Sequence, residues 1–139
     1  MRNRNHKNFV IVIITLIFCG SCCNLDSPTV NNWDSGYIKK FGRYISSDKS
    51  IVISVSNNNG LLHYDIEKKR QTILASKENA SIYQNWILYW DKNQNLWVRS
   101  SDIGDWVWCK GSTGVYEKYS FEQRPRNCSP IPNEFLNNL

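Results

Sequence analysis

Histidine is nearly missing from this chain. There are two in 139 residues, and His63 is the only one beyond position 6. A histidine-rich metal centre is therefore excluded, and any imidazole base has to be His63. No Gly-rich phosphate loop is present, so nucleotide binding of that kind has no support. Long helical periodicity is missing too, which argues against a helical bundle. No apolar run reaches the twenty or so residues a membrane-spanning helix needs. The longest is residues 9–18, FVIVIITLIF.

Charge excess of one sign disappears once the chain is divided. The whole sequence has 17 basic and 12 acidic residues, a formal +5. Arg2, Arg4 and Lys7 precede Cys22, and no acidic residue does. Beyond that point fourteen basic residues face twelve acidic ones, a formal +2. No basic stripe or recognition motif accompanies them, and no nucleic-acid partner is expected.

What is present begins with three basic residues, a short apolar run and the small pair Gly20 and Ser21 before Cys22. That is the layout of a secretory signal. Its ending, CGSC at 19–22, resembles the lipobox of bacterial lipoproteins, departing from it in having Cys19 where Leu is usual. The resemblance implies a signal peptide over 1–21, lipidation of Cys22, and membrane attachment by several acyl chains, each buried methylene adding about 0.8 kcal/mol. Cys23, not Asp, follows the modified residue. The inner-membrane retention signal of some Gram-negative bacteria is thus missing, and the outer membrane or cell surface is the expected location in the envelope. Residues 22–32 read as a lipidated, flexible tether.

Residues 33–139 read as one β-rich domain. Short alternating runs are broken by turn residues: 42–46, 51–56, 61–67, 71–75, 85–90, 96–101, 106–109 and 115–121. They predict an all-β fold of about eight short antiparallel strands in a meander, as two packed sheets or a flattened barrel. A shift of 35 positions lays 51–74 on 86–109 without a gap, giving two strand–turn–strand–turn–strand units like propeller blades. The last segment carries Pro125, Pro130 and Pro132 and is expected to wrap the domain, with at most one helical turn in NEFLNNL. Cys109 and Cys128 both fall in the folded part of an exported chain, and a disulfide between them is expected. Neither ligand spacing nor partner histidines suggest a metal.

Five of six tryptophans lie within 86–109. Strand alternation sends Trp86, Leu88 and Trp90 to one face and Ile87 and Tyr89 to the other. Likewise Trp97 and Arg99 oppose Leu96 and Val98, and Trp106 and Trp108 oppose Val107 and Cys109. Trp86, Trp90, Trp106 and Trp108 are expected to furnish core. Trp97, Tyr89, Arg99 and Trp33 are the candidate aromatic binding face, a platform for a glycan such as peptidoglycan or for a protein partner. His63 and Asp65 alternate along one strand, but no nucleophile motif accompanies them. Asp102 and Asp105 flank a glycine and read as a turn rather than a calcium loop. No cofactor is implied and an enzyme is not expected.

The stretch YWDKNQNLWVRSSDIGDWVW resembles small bacterial proteins with a YWD–LWV–SSDIG–W signature, a resemblance that brings no activity with it. A second resemblance is to the periplasmic lysozyme inhibitors, similarly sized lipid-anchored β-barrels with a disulfide. The chain departs from their SGxxY element, for which KGSTGVY at 110–116 is the nearest stretch. Two functions follow as expectations: a non-catalytic envelope binding or structural module, or an inhibitor or immunity protein acting on an envelope enzyme or toxin.

Overall fold

The computed structural model describes residues 28–136. The signal peptide, the lipidation site Cys22 and the first part of the tether lie outside them. Ten strands form two five-stranded sheets. In the first, β1 (Thr29–Val30), β3 (Gly42–Ile45), β4 (Ile51–Asn58), β5 (Leu61–Lys68) and β6 (Gln71–Ala75) lie in that order. In the second the order is β10 (Tyr116–Ser120), β9 (Gly104–Lys110), β8 (Leu96–Ser100), β7 (Trp86–Trp90) and β2 (Gly36–Ile38). One helical turn, α1 (Asn133–Leu136), follows. The all-β expectation holds, as two packed sheets and not a closed barrel.

The two strands missed by sequence are β1 and β2, of two and three residues. Strands so short show no period-two signal. β1 also corrects the tether and the purely antiparallel meander. It runs parallel to β3, with Thr29 opposite Arg43 and Val30 opposite Tyr44. Arg43 N–H donates to Pro28 O at 2.9 Å. Gly42 permits this approach: its φ is +152°, and a Cβ there would sit 2.5 Å from Pro28 O.

The 35-residue offset survives in three dimensions. β4 and β7 start 35 positions apart, as do β5 and β8. The left-handed residues of the intervening turns match as well, Asn59 with Gln94 and Lys69 with Gly104. Each unit is thus a three-stranded meander with the same turn positions, one per sheet.

Alternation builds the main core between the sheets. Ile51, Ile53 and Val55 of β4 and Leu62, Tyr64 and Ile66 of β5 face Leu88, Trp90, Leu96, Val98 and Trp106. Trp86 and Trp108 pack against that cluster half-buried, so the four tryptophans assigned inward do line it. Tyr64 ties the sheets together. Its hydroxyl accepts Trp106 Nε1–H at 3.1 Å and Trp108 Nε1–H at 2.9 Å, and donates to Glu78 Oε2 at 3.0 Å. Glu78 Oε1 in turn holds Lys118 Nζ at 2.8 Å, and that ammonium lies 4.5 Å above the Trp106 ring.

A second core covers the other face of the second sheet. The C-terminal segment crosses it, and Phe121, Ile131 and Phe135 close over Tyr37, Tyr89, Trp97 and Val107. The Cys109–Cys128 disulfide, spanning 19 positions, fastens this strap to β9. The expected wrap and bridge are both present.

Candidate functional site

The predicted aromatic face does not assemble as a platform. Trp97 is 0% exposed. Its ring meets Phe121 edge-on at 5.2 Å, and its Nε1–H donates to Asp91 Oδ2 at 2.9 Å. Tyr89 packs beside Tyr37 at 4.9 Å and Phe135 at 6.0 Å. Trp33 belongs elsewhere, its ring 5.1 Å from that of Tyr44 and its backbone N–H donating to Ile45 O in the first sheet. The physical reason is the strap: an apolar sheet face next to a chain end bearing Phe121, Ile131 and Phe135 is covered, not displayed.

Arg99 survives as a site residue because the strap stops at it. Register places Ile87, Arg99 and Asp105 in one row across β7, β8 and β9. The next row, Tyr89–Trp97–Val107, lies under the strap. Arg99 Nη1 donates to Phe135 O at 2.8 Å, and the guanidinium sits 5.2 Å from the Phe135 ring centre. Its Nε lies 3.2 and 3.1 Å from the two Asp105 oxygens, and Nη2 is 3.1 Å from Oδ2. Arg99 is thereby locked at the end of the covered region.

Beyond it opens a cleft of about 590 Å³, lined by Trp86, Ile87, Lys39, Asn85, Arg99 and Asp105 among others. Trp86 stands at the rim because it is the first residue of β7, where the neighbouring strand gives out. It stacks on Phe41 at 5.5 Å with an interplanar angle of 26°. Lys39, from the β2–β3 loop, places its ammonium 5.1 Å over the Tyr37 ring and forms no ion pair among the described residues. Trp86, Lys39, Asn85 and the fixed Arg99–Asp105 pair thus line one cleft. Such a set suits a ring-shaped polar ligand carrying negative charge. Sequence alternation assigned Trp86 wholly to core. Its place at a strand start was the signal that one edge stays reachable.

The remaining candidates have structural duties. His63 Nε2–H donates to Asp65 Oδ2 at 3.1 Å, and the Ser76 hydroxyl reaches His63 Nδ1 at 3.3 Å. This completes a Ser–His–Asp order that the sequence left without its serine. Yet Ser76 is buried, and its Oγ accepts Tyr64 N–H at 2.9 Å while Ser76 N–H donates to Tyr64 O. The trio continues strand pairing past the end of β6. Asp102 accepts from the Ser100 hydroxyl and from Ser81 N–H at 2.8 Å, and these bonds hold its carboxyl below the usual carboxylate range. Asp105 turns to Arg99 instead. The two carboxylates thus diverge, as in a plain turn.

No protein-family profile, curated protein or solved structure matches the chain.

Proposed function

We propose that the chain is a lipid-anchored cell-envelope protein that acts by binding, and that the Trp86 cleft takes an acidic glycan of the peptidoglycan kind. The cleft carries this reading, since Trp86, the Arg99–Asp105 pair and Lys39, which forms no ion pair among the described residues, all line it. The lipobox-like CGSC supports the anchor, and export delivers the domain to where such glycans are. Labelled palmitate on the wild-type product, lost in Cys22→Ala, tests the anchor. Titration with soluble muropeptides, followed by tryptophan fluorescence, tests the cleft. Trp86→Ala should weaken binding at least about tenfold, which is about 1.4 kcal/mol, with the far-UV spectrum unchanged. Equal affinity in that variant, or no wild-type response at millimolar ligand, sinks the glycan reading.

A second reading, an inhibitor or immunity protein, rests on a different place. Tyr83 is 82% exposed, and Leu61, where β5 leaves the β4–β5 turn, and Ile103, in the β8–β9 turn, are exposed too. The Leu61–Ser81 bridge and the Ser81–Asp102 bond bring those turns together. An exposed tyrosine among apolar residues is a protein hot-spot composition. Pulldown from a producer strain that is lost in Tyr83→Ala, but kept in Trp86→Ala, would favour it.

A further inference from the structure

The first sheet's outer face carries a second cleft, of about 610 Å³, with Arg43, Lys49, Lys69 and Arg70 on its walls. Glu67 is the one carboxylate lining it. Register explains the gathering. Tyr44, Ile53 and Ile66 point inward, so Arg43, Ile45, Val52 and Glu67 point out. The β3–β4 and β5–β6 turns then add Lys49, Lys69 and Arg70 at one end, joined by Lys69 N–H on Ser50 O at 3.2 Å. None of the four cations forms an ion pair among the described residues. Asp48, next to Lys49, accepts with one oxygen from the Ser46 hydroxyl at 2.6 Å and Ser50 N–H at 2.9 Å.

These turns place cations where others would be easier. Lys49, Lys69 and Arg70 have φ of 57°, 49° and 67°. Glycine or asparagine adopts that region at less cost. Consecutive left-handed residues, as at 69 and 70, are the usual place for Asn-Gly. Among the described residues, half of the six non-glycine left-handed ones are therefore cations on one cleft.

Chain length fixes where this face can lie. β1 enters the first sheet beside β3, and Thr29 sits opposite Arg43. From Cys22 to Pro28 there are only six residue steps, which reach at most about 20 Å when fully extended. A lipid on Cys22 holds this edge, with Arg43 and exposed Lys40 beside it, close to the bilayer. The uncommitted positive charge lies on the face next to that edge.

We propose that the Arg43–Lys49–Lys69–Arg70 face docks on an anionic phospholipid surface, fixing the domain's orientation on its membrane. This rests on the lipid-anchor reading above. The attraction acts within a Debye length, about 8 Å at physiological salt, and adds to the acyl anchor. The second sheet, with its Trp86 cleft, packs on the opposite face of the first and is left free of the membrane plane.

The full lipidated chain, reconstituted into phosphatidylglycerol or phosphatidylcholine vesicles, tests this. Vesicle flotation is read first. A water-soluble amine reagent then reports the reactivity of Lys49 and Lys69 by mass spectrometry, with exposed Lys77 as the internal reference. Basic groups near an anionic surface each gain about fivefold in local residence, so Lys49 and Lys69 should be protected about that much on phosphatidylglycerol. Protection should vanish on phosphatidylcholine, in high salt, and at Lys69 in K49E/R70E. A chain that floats but shows equal labelling on both lipids keeps its anchor and overturns the docking. Protection by inorganic phosphate on phosphatidylcholine overturns it as well, since the face would then be a phosphate site. A chain that does not float overturns the anchor and the docking with it.

Discussion

Asp91 shows at the residue scale how one buried carboxylate decides the fate of an indole. Its Oδ1 accepts the N–H groups of Asn93 and Asn95 at 2.8 and 2.9 Å. Its Oδ2 accepts from Asn95 Nδ2 at 3.0 Å and Trp97 Nε1 at 2.9 Å. A tryptophan with its N–H satisfied can be buried completely, and this is the bond that sequence reading could not supply for Trp97. Asp91→Ala removes all four acceptances and leaves a buried indole donor unpaired. The expected loss is at least about 3 kcal/mol of stability, read as a lower urea midpoint at unchanged m. The YWD–LWV–SSDIG stretch becomes intelligible in the same terms: Trp90 and Leu96 are core, Asp91 caps the turn, and Asp102 braces the next. Most of the stretch is scaffold, while Arg99, Ser100, Ser101 and Asp105 line the cleft. Acid sensitivity also belongs to single residues. Hydrogen bonds from Ser46 and Ser50 hold the Asp48 carboxyl down at about 2, against 3.8 ordinarily. Asp34 and Asp102 are lowered too. A depressed folded value gives stability that is present above about pH 4 and lost as pH falls toward 2. Urea midpoints should therefore be flat down to about pH 4 and then decline; a rise in that window would contradict the bonding described.

Between elements, the strongest single device is the Tyr64 hydroxyl, which receives two indole N–H groups from the opposite sheet. Burial and the nearby Glu78 charge push its ionisation far above the ordinary tyrosine range, so it stays a neutral donor and acceptor. Tyr64→Phe keeps the ring but leaves Trp106 and Trp108 without their acceptor. The expected cost is about 2–4 kcal/mol, with a shift in tryptophan emission before unfolding. A Tyr64→Phe protein as stable as wild type would mean the sheets are held by apolar contact alone. Elements were the most legible part of the sequence. Eight strands and their turns could be read because period-two runs end at Asn, Gly and Lys-rich stretches. β1 and β2 could not, since two or three residues carry no period and their pairing is set by distant partners. The candidate site was half legible. Arg99 was found from its strand face, while Lys39 lies in a loop without pattern and Trp86 was hidden by a correct assignment to the core side.

At the scale of the whole molecule, two unlike cores share one sheet. The first is built mainly by strands of both sheets, the second by a sheet face and a strap held by Cys109–Cys128. The bridge closes a loop of about 20 residues, for which loop-closure entropy gives about 3 kcal/mol. Cys109→Ser with Cys128→Ser should lower stability by about that amount, and near-ultraviolet dichroism should show the Trp97 environment loosening first. Unchanged stability in the double variant would place the strap's hold wholly in Phe121 and Phe135. The strap also sets an order on biosynthesis. A chain is synthesised amino end first, so Tyr37, Tyr89 and Trp97 emerge before anything exists to shelter them. Residues 121–135 act as a stopper on an otherwise sticky flank. Nascent chains cut short before residue 121 would be prone to clump, and the cell would need to guard this protein during the moments before its final phenylalanine seats.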